Sequence, residues 1–148
     1  MARVDDVAAA VLERTGRIDT FRLQKLVYYC QAWHLVWEDT PLFRAEIQAW
    51  ANGPVVPLLY NRHRGQYSVD AWPQGDASSL NEDERTTVDA VVGFYGHRSG
   101  QELADLTHRE EPWLKARARA RLAPGQRGQV TISLGDMLEY YSSIAAKD

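Results

Sequence analysis

Residues 20–37 read TFRLQKLVYYCQAWHLVW. Within them Leu23, Leu26, Val27, Cys30, Trp33, His34 and Trp37 recur at steps of three and four, the spacing of one helical face. Phe21, Tyr28, Tyr29 and Leu35 add apolar surface outside that stripe. A helix apolar on several sides is packed by neighbours on more than one face, which makes this segment the expected centre of the fold. Asp19 or Thr20 can cap its start, and Asp39-Thr40-Pro41 breaks it.

Working outward from that helix, Val4, Val7, Ala8, Val11 and Leu12 mark a first amphipathic helix that Gly16 closes. After the break, residues 47–60 read IQAWANGPVVPLLY. Ile47 to Trp50 suits a strand, Asn52-Gly53 a turn, and Pro54 to Pro57 the start of a short helix ended by Gly65. Both prolines lack a backbone donor, so no central strand is expected beyond the turn. Residues 66–81 form a loop, with one short strand near Tyr67 to Val69.

Asn81 with Glu84 and Ser99 with Glu102 have the spacing of capping boxes, and each opens a helix. Thr107 with Glu110 repeats that spacing, and Pro112 suits the first turn of a further helix carrying Trp113 and Leu114. Val130 to Ile132 alternates like a strand, and Ser133 opens a last helix through Met137, Tyr141 and Ile144. The reading is a mainly α fold, one domain over residues 1–148, with about six helices and two or three short β-strands.

Bulk composition agrees. Of 148 residues, 25% are charged and 45% hydrophobic, an ordinary globular balance. A net charge of -3 and a pI near 5.8 supply no global basic field for nucleic acid. A single cysteine, Cys30, excludes an intrachain disulfide and fits a reducing cytoplasm. No apolar stretch approaches the roughly 20 residues needed to span a bilayer, so no membrane association is expected.

No catalytic set emerges from the chemistry-bearing residues. His34, His63, His97 and His108 lack metal-ligand spacing, so no metal or cofactor is expected. His34 on the helical stripe reads as a hydrogen-bonded core residue. His108 with Glu110 and Glu111 is the best acid–base candidate, but a residue two positions away on a helix points in a different direction. Capping by Thr107 and Glu110 explains the pattern without a substrate. Cys30 lies mid-helix among aromatics, where thiols are inert. Lys115, Arg117, Arg119, Arg121 and Arg127 form the one basic cluster, in which three arginines alternating with alanine step about 200° per pair along a helix. It therefore spreads around the axis, and reads as a solvated helix tail or a contact for an acidic partner. It lacks interleaved aromatics for stacking bases.

Three groups of residues together resemble one family. They are Ile18-Asp19 with residues 23–34 (LQKLVYYCQAWH) and Pro41-Leu42-Phe43; residues 47–57 (IQAWANGPVVP) with Tyr60; and Leu106-Thr107-His108-x-Glu110-x-Pro112-Trp113 followed by Met137 and Tyr141. In order and spacing, from about residue 4 to 145, the chain is similar to the SocA-like Panacea antitoxin domain, also described as GepA-like. Cys30 stands where a small residue is usual, and Asn52 where Tyr or His is common.

The resemblance implies the antitoxin of a type II toxin–antitoxin pair, with a role in phage defence, and not an enzyme. It would neutralise by direct protein contact a toxin that blocks translation, many such toxins being small-alarmone-synthetase-like. One relative instead delivers its toxin to the ClpXP protease, and that adaptor role is the alternative. A small hydrolase using His108 and Glu110 is a third reading. Some members add an N-terminal helix-turn-helix; this chain begins within the domain itself, so DNA-binding autorepression is not expected. Gln24, Lys25, Tyr29, Trp33, His34, Gly53, Pro54, Pro57, Thr107, His108, Glu110, Pro112 and Trp113 are motif positions expected to hold the structure. Trp50, Asn52, Tyr60, Trp72, Arg117, Arg119 and Arg121 are the expected partner contacts, the aromatic ones provided that they are exposed.

Overall fold

A computed structural model describes residues 1–146 of the chain. In chain order the elements are α1 (Val4–Thr15), β1 (Ile18–Asp19), α2 (Thr20–Glu38), β2 (Gln48–Trp50), β3 (Gly53–Val55), α3 (Pro57–His63) and β4 (Ser68–Val69), then α4 (Glu82–Tyr95), α5 (Gly100–Arg109), α6 (Glu111–Arg119) and α7 (Leu134–Ala145). The fold is mainly α, with one more helix and one more strand than the sequence predicts among the described residues.

α2 is the axis of the molecule. Asp19 caps it, its carboxylate accepting the Arg22 amide at 2.9 Å. Asp39 ends it in the left-handed conformation, φ 55°, its amide bonded to the Leu35 carbonyl. Around it pack α1, α4, α5, α7 and the strand β3. Leu23, Leu26, Val27, Tyr28, Tyr29, Cys30 and Ala32 are buried against them. Because neighbours cover several sides, α2 also buries polar residues, namely Gln24, Lys25, Gln31 and His34. Trp37, read as part of the stripe, is exposed and stacks on Trp33.

The two capping boxes opening α4 and α5 both form, with Asn81 and Ser99 each exchanging bonds with a glutamate three residues on. The third does not. Thr107 lies inside α5 and donates its hydroxyl to the Ala104 carbonyl at 2.9 Å. Glu110 separates α5 from α6 and makes no side-chain cap, because its carboxylate is drawn into the core.

The strands differ from expectation at three places: β1 and β3 form where no strand was expected, and residues 130–132 do not make a full strand. β2 and β3 make an antiparallel hairpin, pairing Gln48 with Val55, Ala49 with Pro54 and Trp50 with Gly53. Pro54 is tolerated because the far side of β3 meets side chains of α2 instead of another strand, so no ladder bond needs its missing N–H. α3 starts at Pro57. Residues 130–132 lie along β2 through two backbone bonds, Ala49 N–H to Val130 O and Ile132 N–H to Ile47 O, both 2.8 Å. They make a single bridge rather than a full strand. β1 pairs antiparallel with β4 and ties α2 to the loop after α3.

Candidate partner-binding cleft

Three polar side chains of α2 act as surrogate backbone. The Gln24 amide accepts the Val56 N–H at 2.8 Å and donates to the Val56 carbonyl at 3.3 Å. Seven residues on, Gln31 repeats the device: it accepts from the Leu42 amide at 2.7 Å and donates to the Phe43 carbonyl at 2.8 Å. Between them Lys25 donates to the Pro54 carbonyl at 3.3 Å. These bonds satisfy buried peptide groups that no strand partner reaches, where an unpaired group is destabilising. Gly53 is required here. Its φ of 122° is strained for other residues, and a Cβ would stand 2.6 Å from the Lys25 side chain.

Gln24 also donates to His63 Nε2 at 3.0 Å, which places the His63 proton on Nδ1. Burial lowers the His63 pKa in keeping with that neutral ring. Burial also lowers Lys25, to about 7, against a raising contribution from Asp19. No carboxylate among the described residues forms an ion pair with Lys25. Its ammonium lies 4.1 Å from the centre of the Phe21 ring.

A second network closes the other side of α2. Tyr29 and Tyr141 both donate to Glu110 Oε1, at 2.6 and 2.8 Å. Since the one Tyr141 proton goes to Glu110, the 2.9 Å contact with Tyr28 is donated by Tyr28. Burial raises the Glu110 pKa, and the two tyrosine hydroxyls oppose that shift. Tyr29 stacks on Tyr95 at 4.0 Å, and Trp33 donates to the Tyr95 hydroxyl at 2.8 Å. His34 bonds the Thr87 hydroxyl at 2.8 Å.

Beside the hairpin lies a cleft of about 1020 Å³. Its walls come from the start of α2 (Lys25), the hairpin (Trp50, Asn52), α3 (Tyr60) with Arg64 just beyond it, and the segment holding Arg127. Trp50 and Tyr60 are half-buried with ring centres 4.9 Å apart. The cleft thus gathers three of the expected partner contacts: Trp50, Asn52 and Tyr60.

The other four fall elsewhere. Trp72 is 7% exposed, its indole donating to Asp5 at 2.9 Å, so it is a core residue and offers no contact surface. Arg117 is 4% exposed instead of solvated. It donates to the carbonyls of Ala49 at 2.9 Å, Ala123 at 3.1 Å and Gln126 at 2.6 Å, which pins β2 to the loop after α6. Arg119 is paired with Asp136 on α7, and Arg121 is exposed with φ 57° in that same loop.

Pro112 and Trp113 are buried at the start of α6, with the Trp113 indole donating to the Trp50 carbonyl at 2.9 Å. His108 stacks on Trp113 at 4.1 Å, and its buried Nε2 has no partner. Burial and the Lys25 charge lower its pKa, while the Asn52 backbone opposes them. Glu110 is not among its hydrogen-bond partners, so the geometry does not assemble the pair that a hydrolase needs. Arg64, Asn61 and Gln129, which line the cleft, escaped the sequence reading because they stand alone among polar loop or helix-end residues. Among the described residues, no three or more His, Cys, Asp or Glu side chains are grouped to hold a metal, and no helix is long and apolar enough to cross a membrane.

The protein is thus mainly α, with a central helix that hydrogen-bonds its own loops and an open cleft beside it. Residues 23–114 match the family described as antitoxin SocA-like, Panacea domain, and the chain belongs to that family of antitoxins. Comparison with curated proteins and with solved structures gives no match.

Proposed function

We propose that this chain is the antitoxin of a type II toxin–antitoxin pair, acting in the cytoplasm as a non-enzymatic binding module. It neutralises a translation-blocking toxin of the small-alarmone-synthetase kind by direct protein contact, as a defence against phage. The observation that carries the reading is the family match over residues 23–114, which includes α2, the hairpin and the start of α6. The Glu110 network supports it further. Of the two carboxylates that follow His108, Glu110 is spent on two tyrosine hydroxyls in the core and Glu111 pairs with Lys115.

The test is co-expression with the toxin encoded beside it, scoring growth and co-purification. Rescue with a stable complex is expected. Absence of both rescue and complex would remove the proposal. Toxin half-life measured with and without ClpXP separates direct inhibition, in which it is unchanged, from delivery to the protease, in which it shortens only when ClpXP is present.

A further inference from the structure

The cleft beside the hairpin has a chemistry that the antitoxin reading does not explain. No Asp or Glu lines it, although the chain as a whole carries a net charge of -3. Its charged groups are Lys25, Arg64 and Arg127. A protein with an acid excess has therefore concentrated positive charge in one concavity, which focuses its field there.

Lys25 is the most unusual of the three. An ammonium has three N–H donors, and buried charges in proteins are normally paired with an opposite charge. Lys25 is fully buried with one hydrogen bond, to the Pro54 carbonyl, and one aromatic face, Phe21. Arg64 and Arg127 are exposed, and neither forms an ion pair among the described residues. Removing water from the two exposed arginines is unfavourable unless anionic groups arrive with the occupant.

The remaining lining fits a polypeptide. The Trp50–Tyr60 pair supplies the aromatic anchors that dominate protein contacts. Gln48, Asn52, Asn61 and Gln129 offer amides that can both donate to and accept from a peptide backbone. The cleft is an open trough, larger than a mononucleotide needs, and no glycine-rich phosphate loop borders it.

We propose that this cleft receives an acidic peptide segment of the partner protein, one carboxylate approaching Lys25 and others meeting Arg64 and Arg127, with Trp50 and Tyr60 against its apolar residues. This rests on the reading that the chain neutralises a protein toxin, and it names the contact surface and the chemistry of what fills it.

The probe is a fluorescein-labelled 12-residue peptide of alternating Glu, Asp, Leu and Ala, followed by anisotropy, with a lysine peptide of equal length and ATP for comparison. Binding of the acidic peptide alone is expected, weakening as salt rises. The Arg64→Glu/Arg127→Glu double variant, checked for folding by circular dichroism and thermal melting, should bind at least tenfold more weakly. Lys25→Met should also weaken binding. Equal binding by wild type and the double variant overturns the inference. So does failure of the acidic peptide to bind, or ATP binding that depends on Lys25.

Co-purification with the adjacent toxin then separates the two readings. Capture by wild type and not by the double variant supports both. Capture by both proteins sinks the cleft and leaves the antitoxin reading standing. Peptide binding in the cleft with no capture of the toxin does the reverse.

Discussion

Lys25 and Glu110 are two buried ionisable residues shifted in ways that disfavour their charged forms, and each makes a distinct prediction. For Lys25 the folded value, about 7, lies below the ordinary 10.5. Between those values the unfolded chain binds more protons than the folded one, so this group's contribution to stability rises with pH through that window. In Lys25→Met, denaturant titrations from pH 6 to 10 should therefore show a flatter rise than wild type.

For Glu110 the folded value is raised, so the folded chain holds its proton more tightly. Its contribution falls as pH climbs from the ordinary carboxyl range through the raised value. Glu110→Gln keeps an oxygen for Tyr29 and Tyr141, and should match or exceed wild-type stability at pH 7. Glu110→Ala leaves two tyrosine hydroxyls without their acceptor and should cost about 3 kcal/mol by the same titration. The sequence showed Lys25 and Glu110 as motif members but not their burial. Polar residues at i and i+1 on a helix read as solvent-facing until the neighbours on every side are known.

At the scale of elements, α2 was the most legible part. Its length, its Asp19 cap and its central role follow from a long apolar pattern bounded by a capping residue and a proline. Both capping boxes were equally legible, since the spacing that defines them is local. The hairpin was read only as far as Trp50. Pro54 argues against a strand in general, and only the Gln24 and Lys25 side chains on its far side make an exception possible. Gln24→Leu tests that account. It preserves helix propensity but leaves the Val56 N–H unpaired, while the Val56 carbonyl keeps the Tyr60 N–H, and should lower stability by about 1–3 kcal/mol in chemical denaturation. Amide exchange at Val56 should accelerate with it. Thr107-x-x-Glu110 misled for a related reason: the spacing of a capping box was present, but Tyr29 and Tyr141 outcompete the backbone for the carboxylate.

Across the whole molecule, Arg117 shows what long-range packing adds. One guanidinium joins α6 to β2 and to residues 123–126, the stretch leading to Arg127 at the cleft edge. Arg117→Lys keeps the charge but cannot reach three carbonyls in that planar fork. It should lower the melting temperature by a few degrees, corresponding to about 1–2 kcal/mol, and raise proteolytic cutting after Arg121 and Arg127. From the sequence alone Arg117 was indistinguishable from Arg119 and Arg121, because alternating Arg-Ala around a helix says nothing about which face meets a neighbour. Trp72 was left open between surface and core in the same way, since only the buried Asp5 explains where its indole points.

By itself the sequence determined the helices, their order, their caps and the family, because periodicity, capping spacing and motif order are properties of neighbours along the chain. Tertiary structure alone decided which polar residues are buried, that β3 exists, and that Trp50, Asn52 and Tyr60 share a cleft with Lys25, Arg64 and Arg127. The physical reason is that burial and field depend on groups far apart in sequence. A lysine becomes an unpaired buried cation only when a helix, a hairpin and a distant loop close around it.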